Sequence, residues 1–320
     1  MLVRGLLASL WIFAAGAVSA QTYPARPVRI VIPFPPGGPS DYAGRVVSAR
    51  LTEFLGQPIV IDNRPGAGGL LATESVFRAA PDGYTLLIAN TGTMTVLPHL
   101  HAKLAFDPLR DFTPICNLIA GPAILLIHPS VPAKDLRELI ALAKRLPGQL
   151  TIAHAGMGQQ SHMNSELLKQ LAGITFLDVA YKGTGPMMAE LIGGQVSMFF
   201  STSSDNLQFV RSGRVRALAV TGPQRLSVAP DIPTTAEAGL PGFEALNWNG
   251  IVGPAGLARD IVARLNRDLV RSVNSPDVRD KVAALGNYVI GDTPEQFSAF
   301  MRTESIKWAQ VVKKANIKLD

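Results

Sequence analysis

Apolar runs and amphipathic stretches alternate along most of the chain. Val28-Arg29-Ile30-Val31-Ile32-Pro33-Phe34, 58–62 and 85–90 read as strands, and helical patterns follow near 41–55 and 70–79. In the first of these helices Val47, Leu51, Phe54 and Leu55 share one face. The pattern repeats further on: Ile124–His128, Leu150–His154, Thr175–Tyr181 and Val196–Ser201 alternate with helices near 133–146, 162–172 and 186–193. Helix 133–146 shows its buried stripe through Leu136, Leu139, Ile140, Ala143 and Leu146. Strands that are apolar at nearly every position suit parallel sheets covered on both faces. The alternation therefore predicts an α/β protein of two doubly wound lobes. A stretch rich in Pro, Gly and Asn, Ala238 to Gly256, reads as a connector, and helices return at 259–273, 277–285 and 294–314. A chain that enters the second lobe near Gly121 and comes back near Leu246 builds lobe 1 from 22–122 plus 246–320 and lobe 2 from 123–245. A cleft is then expected between them.

The strand ends carry the candidate chemistry. Phe34-Pro35-Pro36-Gly37-Gly38-Pro39-Ser40-Asp41 joins the first strand to its helix. Such a junction aims backbone N–H groups and the positive end of a helix dipole at whatever sits over the loop, and small anions bind there. The second half supplies a counterpart, Gly156-Met157-Gly158-Gln159-Gln160-Ser161-His162, between strand Leu150–His154 and the next helix. Thr91-Gly92-Thr93, Tyr181 and the pair Ser201 and Ser203 end other strands, where ligands bind in open α/β sheets. Several of these residues have structural uses as well. Asp41 serves either as a first-turn acid or as a ligand contact, and His162 either packs or touches ligand. Ser161 can cap its helix or donate to an anion.

Composition narrows the function. Residues 1–20 carry one basic residue, Arg4, an apolar run from Leu6 to Val18, and small residues at Val18 and Ala20 before Gln21, the pattern of a secretory signal peptide. A periplasmic location follows as the expectation. The only cysteine, Cys116, rules out an internal disulfide and reads as a small core residue. The formal charge of +6 is spread over scattered Lys and Arg without basic runs or interleaved aromatics, so nucleic acid is not an expected partner. No Gly-x-Ser-x-Gly elbow, zinc-type His-Glu-x-x-His or phosphate loop lysine is present. The five histidines do not cluster with acids at metal spacing, and Pro98 places His99 and His101 in a loop. Neither cofactor nor metal is expected. An exported hydrolase using Ser161 and His162 is the enzymatic alternative.

Many ordered motifs point the same way. They include Tyr23-Pro24-Ala25-Arg26-Pro27-Val28, Pro33-Phe34-Pro35-Pro36-Gly37-Gly38 with Asp41 and Arg45, and Asn63-Arg64-Pro65-Gly66-Ala67-Gly68-Gly69. Ala80-Pro81-Asp82-Gly83-Tyr84-Thr85-Leu86, Tyr181-Lys182-Gly183, Gly193-Gly194-Gln195-Val196, Arg216–Thr221 and Gly253-Pro254-Ala255-Gly256 continue the series. Over essentially the whole mature chain the sequence resembles the Bug-type solute receptors of tripartite tricarboxylate transporters. The resemblance implies a type II periplasmic binding protein of the Venus-flytrap kind, monomeric and not an enzyme. Such a receptor closes on a small carboxylate, held mainly by loop amides, and delivers it to a two-component integral membrane permease. A receptor that docks a signalling protein would share these features.

The sequence departs from that family's habits at several places. Gln159 and Gln160 stand where Thr or Ser is usual, the proline common before His162 is missing, and Leu97 replaces a frequent Asn. Ser197 and Ser201 stand where Asp is common. Losing acids at the pocket edge disfavours a ligand amine, which points to an organic acid over an amino acid.

Overall fold

The computed structural model describes residues 23–202 and 206–319. The signal-peptide reading of 1–20 and the candidate Ser203 lie outside the described residues. The first strands are β1 (Val28–Ile32), β2 (Ile59–Asn63), β3 (Thr85–Asn90) and β4 (Phe112–Pro122). The chain then builds β5 (Ile124–Ile127), β6 (Thr151–His154), β7 (Leu177–Ala180), β8 (Met198–Ser201) and β9 (Arg216–Val220). It returns with β10 (Leu246–Pro254) and β11 (Tyr288–Val289). Two sheets result, ordered β11-β4-β10-β3-β1-β2 and β7-β6-β8-β5-β9. β1 runs parallel to β2 and β3, and β6 parallel to β7 and β8, whereas β10 is antiparallel to both β3 and β4 and β5 to both β8 and β9.

Helices α1 (Pro39–Leu55), α2 (Leu70–Phe77), α3 (Leu97–Leu100), α4 (Leu136–Arg145), α5 (Gln160–Ala172), α6 (Thr184–Ile192) and α7 (Leu207–Arg211) alternate with the strands. They are followed by α8 (Arg259–Val273), α9 (Pro276–Ala284) and α10 (Pro294–Ala315). Local signals set several of their ends. Pro39 opens α1, where its missing N–H costs nothing, and Gly56 closes it at φ +74°. Asp135 caps α4 by accepting from Glu138 N–H at 2.8 Å. Thr293 and Gln296 form a reciprocal capping box at the start of α10.

Two expectations from the sequence change. The stretch 238–256, read as a connector, contains β10, a nine-residue strand in the middle of the first sheet. Its Gly250 is required by packing: a Cβ there would lie 2.4 Å from the Phe297 ring and 2.9 Å from Cys116 O. Its Trp248 is fully buried against Phe297 and Phe300. His99, placed in a loop because of Pro98, sits in α3 with its Nε2 2.9 Å from Ser305 Oγ of α10. Pro98 falls in the first turn, where a helix tolerates it.

The sheets are joined at Pro122-Ala123 and again just before β10, and one residue ties both crossings together. Thr221 donates its N–H to Ala123 O at 2.9 Å and accepts from Ala245 N–H at 3.0 Å. Its hydroxyl accepts from Ala123 N–H at 2.8 Å and donates to Ala245 O. A third link is α10. Phe297 and Met301 pack in a core with Leu87, Ala89 and Trp248, whereas Trp308, Val311 and Val312 pack in one with Leu139, Met163 and Phe200. The helix is thus anchored in the cores of both sheets.

Candidate functional site

The loop after β1 is organised by a carboxylate. Asp41 is buried, accepting from Gly37 N–H at 2.9 Å, from Asn63 Nδ2 at 3.0 Å and from Arg45 Nε at 2.9 Å. Burial works to raise its pKa, but the bonds from Arg45, Gly37 and Asn63 outweigh it and hold the carboxyl below its ordinary value. Asn63 also donates to Phe34 O at 3.0 Å, fastening the loop to the end of β2. The negative charge is therefore spent inside the loop. The first backbone bond of α1 runs from Tyr42 N–H to Gly38 O, so the amides of Ser40 and Asp41 have no acceptor in the helix, and no side chain caps them.

That helix end adjoins the end of β3. Ser40 Oγ donates to Asn249 Oδ1 of β10 at 2.7 Å and accepts from Asn90 Nδ2 at 3.2 Å, so its hydroxyl belongs to a buried network. Asn90 Oδ1 accepts from Thr93 N–H at 3.1 Å and starts the helical turns Thr91–Val96 that lead into α3. Thr91 is 1% exposed, yet its Oγ1 has no hydrogen-bond partner. A buried hydroxyl left open at a strand end is costly unless something else meets it.

The loop after β6 comes from the other sheet. Gly156 and Gly158 adopt φ +118° and +74°, a region that disfavours any side chain, and a Cβ on Gly158 would lie 2.4 Å from Leu100 Cδ1. Four of its amides are taken within the protein, that of Gln159 by Gly156 O at 3.2 Å. Ala155 N–H donates to Ser161 Oγ at 3.0 Å, Gly156 N–H to His154 Nδ1 at 3.3 Å, and Gly158 N–H to His162 Nδ1 at 3.2 Å. The first bond of α5 is Met163 N–H to Gln159 O. The amides of Gln160, Ser161 and His162 therefore stay open and uncapped. Gln160 is 7% exposed; its Nε2 donates to Asn164 Oδ1 at 2.8 Å, and its Oε1 has no partner. Met157 is exposed.

The two loops meet. Gln159 Nε2 donates to Gly68 O at 3.4 Å, and its carboxamide lies 3.5 Å from where Gly92 would carry a Cβ. The structure thus links Gly37, Gly38 and Ser40 through Asn90, Thr91 and Gly92 to Gln159 and the N-terminus of α5. Phe34 borders this place from the first sheet, 3.7 Å from the Cβ position of Gly69. Pro35 is exposed at the loop tip, and Thr93 packs beneath against Gly69. Tyr181 is half-buried, held by its N–H on His154 O at 2.9 Å. Ser201 is fully buried at the end of β8, where its Oγ accepts from Asn206 Nδ2 at 2.7 Å. Asn63, Gly68, Asn90, His154 and Asn249 belong to this constellation too. Of these, Gly68 was readable from position, since its glycine-rich loop follows the carboxyl end of β2.

Charge is scarce among these residues, confined to the carboxylate of Asp41 and the Arg45 guanidinium bonded to it. His154 and His162 lie with ring centres 4.5 Å apart. Burial lowers the pKa of both, and His162, with the neighbouring imidazole adding to the effect, falls to about 4. Both rings are therefore neutral near pH 7. Together with Asp178 they approach metal-site spacing, but the Lys169 ammonium already contacts Asp178 and lies 2.7 Å from Glu166 Oε1. Ser161 Oγ bonds to Ala155 N–H and His162 Nδ1 to Gly158 N–H, so the pair does not form a nucleophile–base dyad. Cys116 is buried, and burial pushes its thiol pKa up.

A family model described as the tripartite tricarboxylate transporter family receptor matches residues 43–317. Protein BugT of Bordetella pertussis is 37% identical over 320 residues, covering 98% of this chain and 98% of its own. A Rhodopseudomonas palustris protein solved with adipate superimposes with a TM-score of 0.85 at 32% identity, covering 92% of this chain and 99% of its own. MatC of the same species, solved with bound malate, gives 0.82 at 37% identity over 91% of this chain and all of its own.

Proposed function

Because the chain belongs to the tripartite tricarboxylate transporter family of receptors, we propose that it is a periplasmic, monomeric receptor for a small organic acid. It binds the acid between the lobes and hands it to a two-component membrane permease. The observation that carries the reading is a pair of uncapped helix N-termini, α1 and α5, on loops linked from Ser40 through Asn90 and Gly92 to Gln159, where Arg45, the cation beside Asp41, is already occupied by that carboxylate. Open amides of Ser40, Asp41, Gln160, Ser161 and His162, with the unpartnered Thr91 Oγ1, give a carboxylate its hydrogen bonds, and the unpartnered Gln160 Oε1 can accept from a ligand hydroxyl. Gly37 and Gly38 let the ligand approach the backbone, and Phe34 supplies an apolar wall.

Two dipole ends contribute about 1–4 kcal/mol to an anion, against about 8 kcal/mol for micromolar binding. Direct hydrogen bonds and exclusion of water on closure must supply the remainder. Adipate and malate, bound by similar receptors, are the first candidates. The test is thermal unfolding of ligand-stripped protein against mono-, di- and tricarboxylates, aromatic acids, amino acids and neutral controls. A ligand at one hundred times its Kd adds about 2.7 kcal/mol, a shift of roughly 5 °C for a chain of this size. Stabilisation confined to one class of acids is expected, and a flat panel from folded protein overturns the reading.

A further inference from the structure

The amides that the β6–α5 loop withholds from a ligand all have identified acceptors, and two of those acceptors are imidazoles. His154 ends β6 and His162 lies in the first turn of α5, so the two rings flank the loop from both sides and reach 4.5 Å between centres. Each points Nδ1 at a glycine N–H: His154 at Gly156, 3.3 Å away, and His162 at Gly158, 3.2 Å away. A nitrogen that accepts carries no proton, so each neutral ring bears its proton on Nε2. We infer that His154 and His162 are positioning residues of this loop: as uncharged Nε2–H imidazoles they hold the Gly156 and Gly158 amides inward and thereby leave the first-turn amides of α5 as the donors that face a ligand. The inference rests on the receptor reading of the site.

Both glycines hold positive φ in the loop where these bonds are made, a backbone shape that other residues adopt only with strain. Protonation would undo the bonds. A doubly protonated imidazole presents N–H at Nδ1 to a backbone N–H, two donors face to face, and the loop amides must turn elsewhere. The charges that reach the pair are Glu166 and Lys169 on α5 and Asp178 on β7, with His162 Nε2 3.7 Å from Glu166 Oε1. Lys169 contacts both acids, so their attraction for an imidazolium is blunted. β8, on the other side of β6, carries no charged residue. The network favours neutral rings, and the loop keeps one shape across the near-neutral range.

The experiment has two arms. Imidazole and amide nitrogens of the full mature protein are followed by NMR from pH 7.5 to pH 4.5, with His154→Asn and His162→Asn assigning the rings. Both rings are expected as the Nε2–H tautomer at pH 7.5, with the Gly156 and Gly158 amide signals shifting along the imidazole titrations. An Nδ1–H tautomer at either ring, or glycine amides indifferent to the titration, overturns the inference. The second arm measures malate and adipate affinity. Asparagine places an untitratable Oδ1 where Nδ1 was, whereas alanine removes the acceptor and glutamine places it at the Nε2 position. His154→Ala and His162→Ala are expected to weaken binding at least tenfold, glutamine no less, and asparagine to recover most of the loss while flattening the acid dependence. Equal losses in alanine and asparagine variants also overturn it. If the parent binds neither acid nor any other carboxylate, the receptor reading fails, and the NMR arm still decides the role of the imidazoles.

Discussion

Replacing Thr221 by valine removes one oxygen and should cost far more than a surface change. The hydroxyl accepts from Ala123 N–H at 2.8 Å and donates to Ala245 O, and both alanines are essentially unexposed. Valine keeps the shape, so the packing loss is small, but two buried backbone groups are left without partners. At about 1–3 kcal/mol for each stranded group, less a small gain from the added methyl, the expected cost is about 2–5 kcal/mol. That lowers Tm by about 4–10 °C at roughly 2 °C per kcal/mol. Urea unfolding followed by fluorescence of the buried Trp248 and Trp308 is the assay, with Thr221→Ser beside it. Serine keeps both hydrogen bonds and gives up one methyl, about 1 kcal/mol. Valine as stable as serine would refute the argument that Thr221 fastens the crossings through its hydroxyl.

Asp292 tests the electrostatics. Burial raises its carboxyl to about 6, with the bond from Asn117 N–H acting in the other direction. A raised acid contributes stability that is full below about pH 4 and lost as pH rises through about 6. Asp292→Asn, which cannot ionise, should therefore be more stable than the parent at pH 7, by at most about 2 kcal/mol for a half-buried group. The advantage should vanish by pH 4 in denaturation curves, and one that persists unchanged at that pH would contradict the assignment. Gly158→Ala brings a Cβ to 2.4 Å from Leu100 Cδ1 in addition to its strained φ. It should destabilise by about 1–3 kcal/mol and weaken binding of any acid the protein takes. Gly173→Ala, with φ +63° and open space around it, carries the backbone strain alone; equal effects in the two would exclude the Leu100 contact as a cause.

The apolar runs made β1, β3, β5, β6 and β8 legible, and the 3.6-residue period did the same for α1, α4, α5, α8 and α10. β10 was hidden because its strand character comes from its neighbours. Asn247, Asn249, Gly250, Gly253 and Pro254 are poor strand residues in isolation, yet Phe297 leaves room only for Gly250, and Asn249 finds its partner in Ser40, 209 residues away. The candidate loops were readable because ligands gather at the carboxyl ends of strands, and the family resemblance pointed to the same places. The side chains that shape those loops were not. Asn63, Asn90 and His154 act through hydrogen bonds that only the folded chain brings together. The carboxylate of Asp41 was left open between two roles, and Arg45 and Asn63 show how its charge is occupied.

The place of β10 also dictates an order of assembly. All five strands of the second sheet lie between residues 124 and 220, so that sheet can close as soon as those residues are free. The first sheet cannot, because β3 and β4 have no partnership with each other until β10, more than 120 residues after the end of β4, slides between them. A chain emerging N-terminus first therefore holds β1, β2 and β3 as an unfinished ribbon with open edges, which are prone to pair with other chains. Pulsed hydrogen exchange during refolding should protect β5, β6 and β8 before β3 and β4, and the reverse order would contradict this sequence of events. The strands of the middle can pair first, their core still lacking α10, and the beginning of the chain must wait for its end.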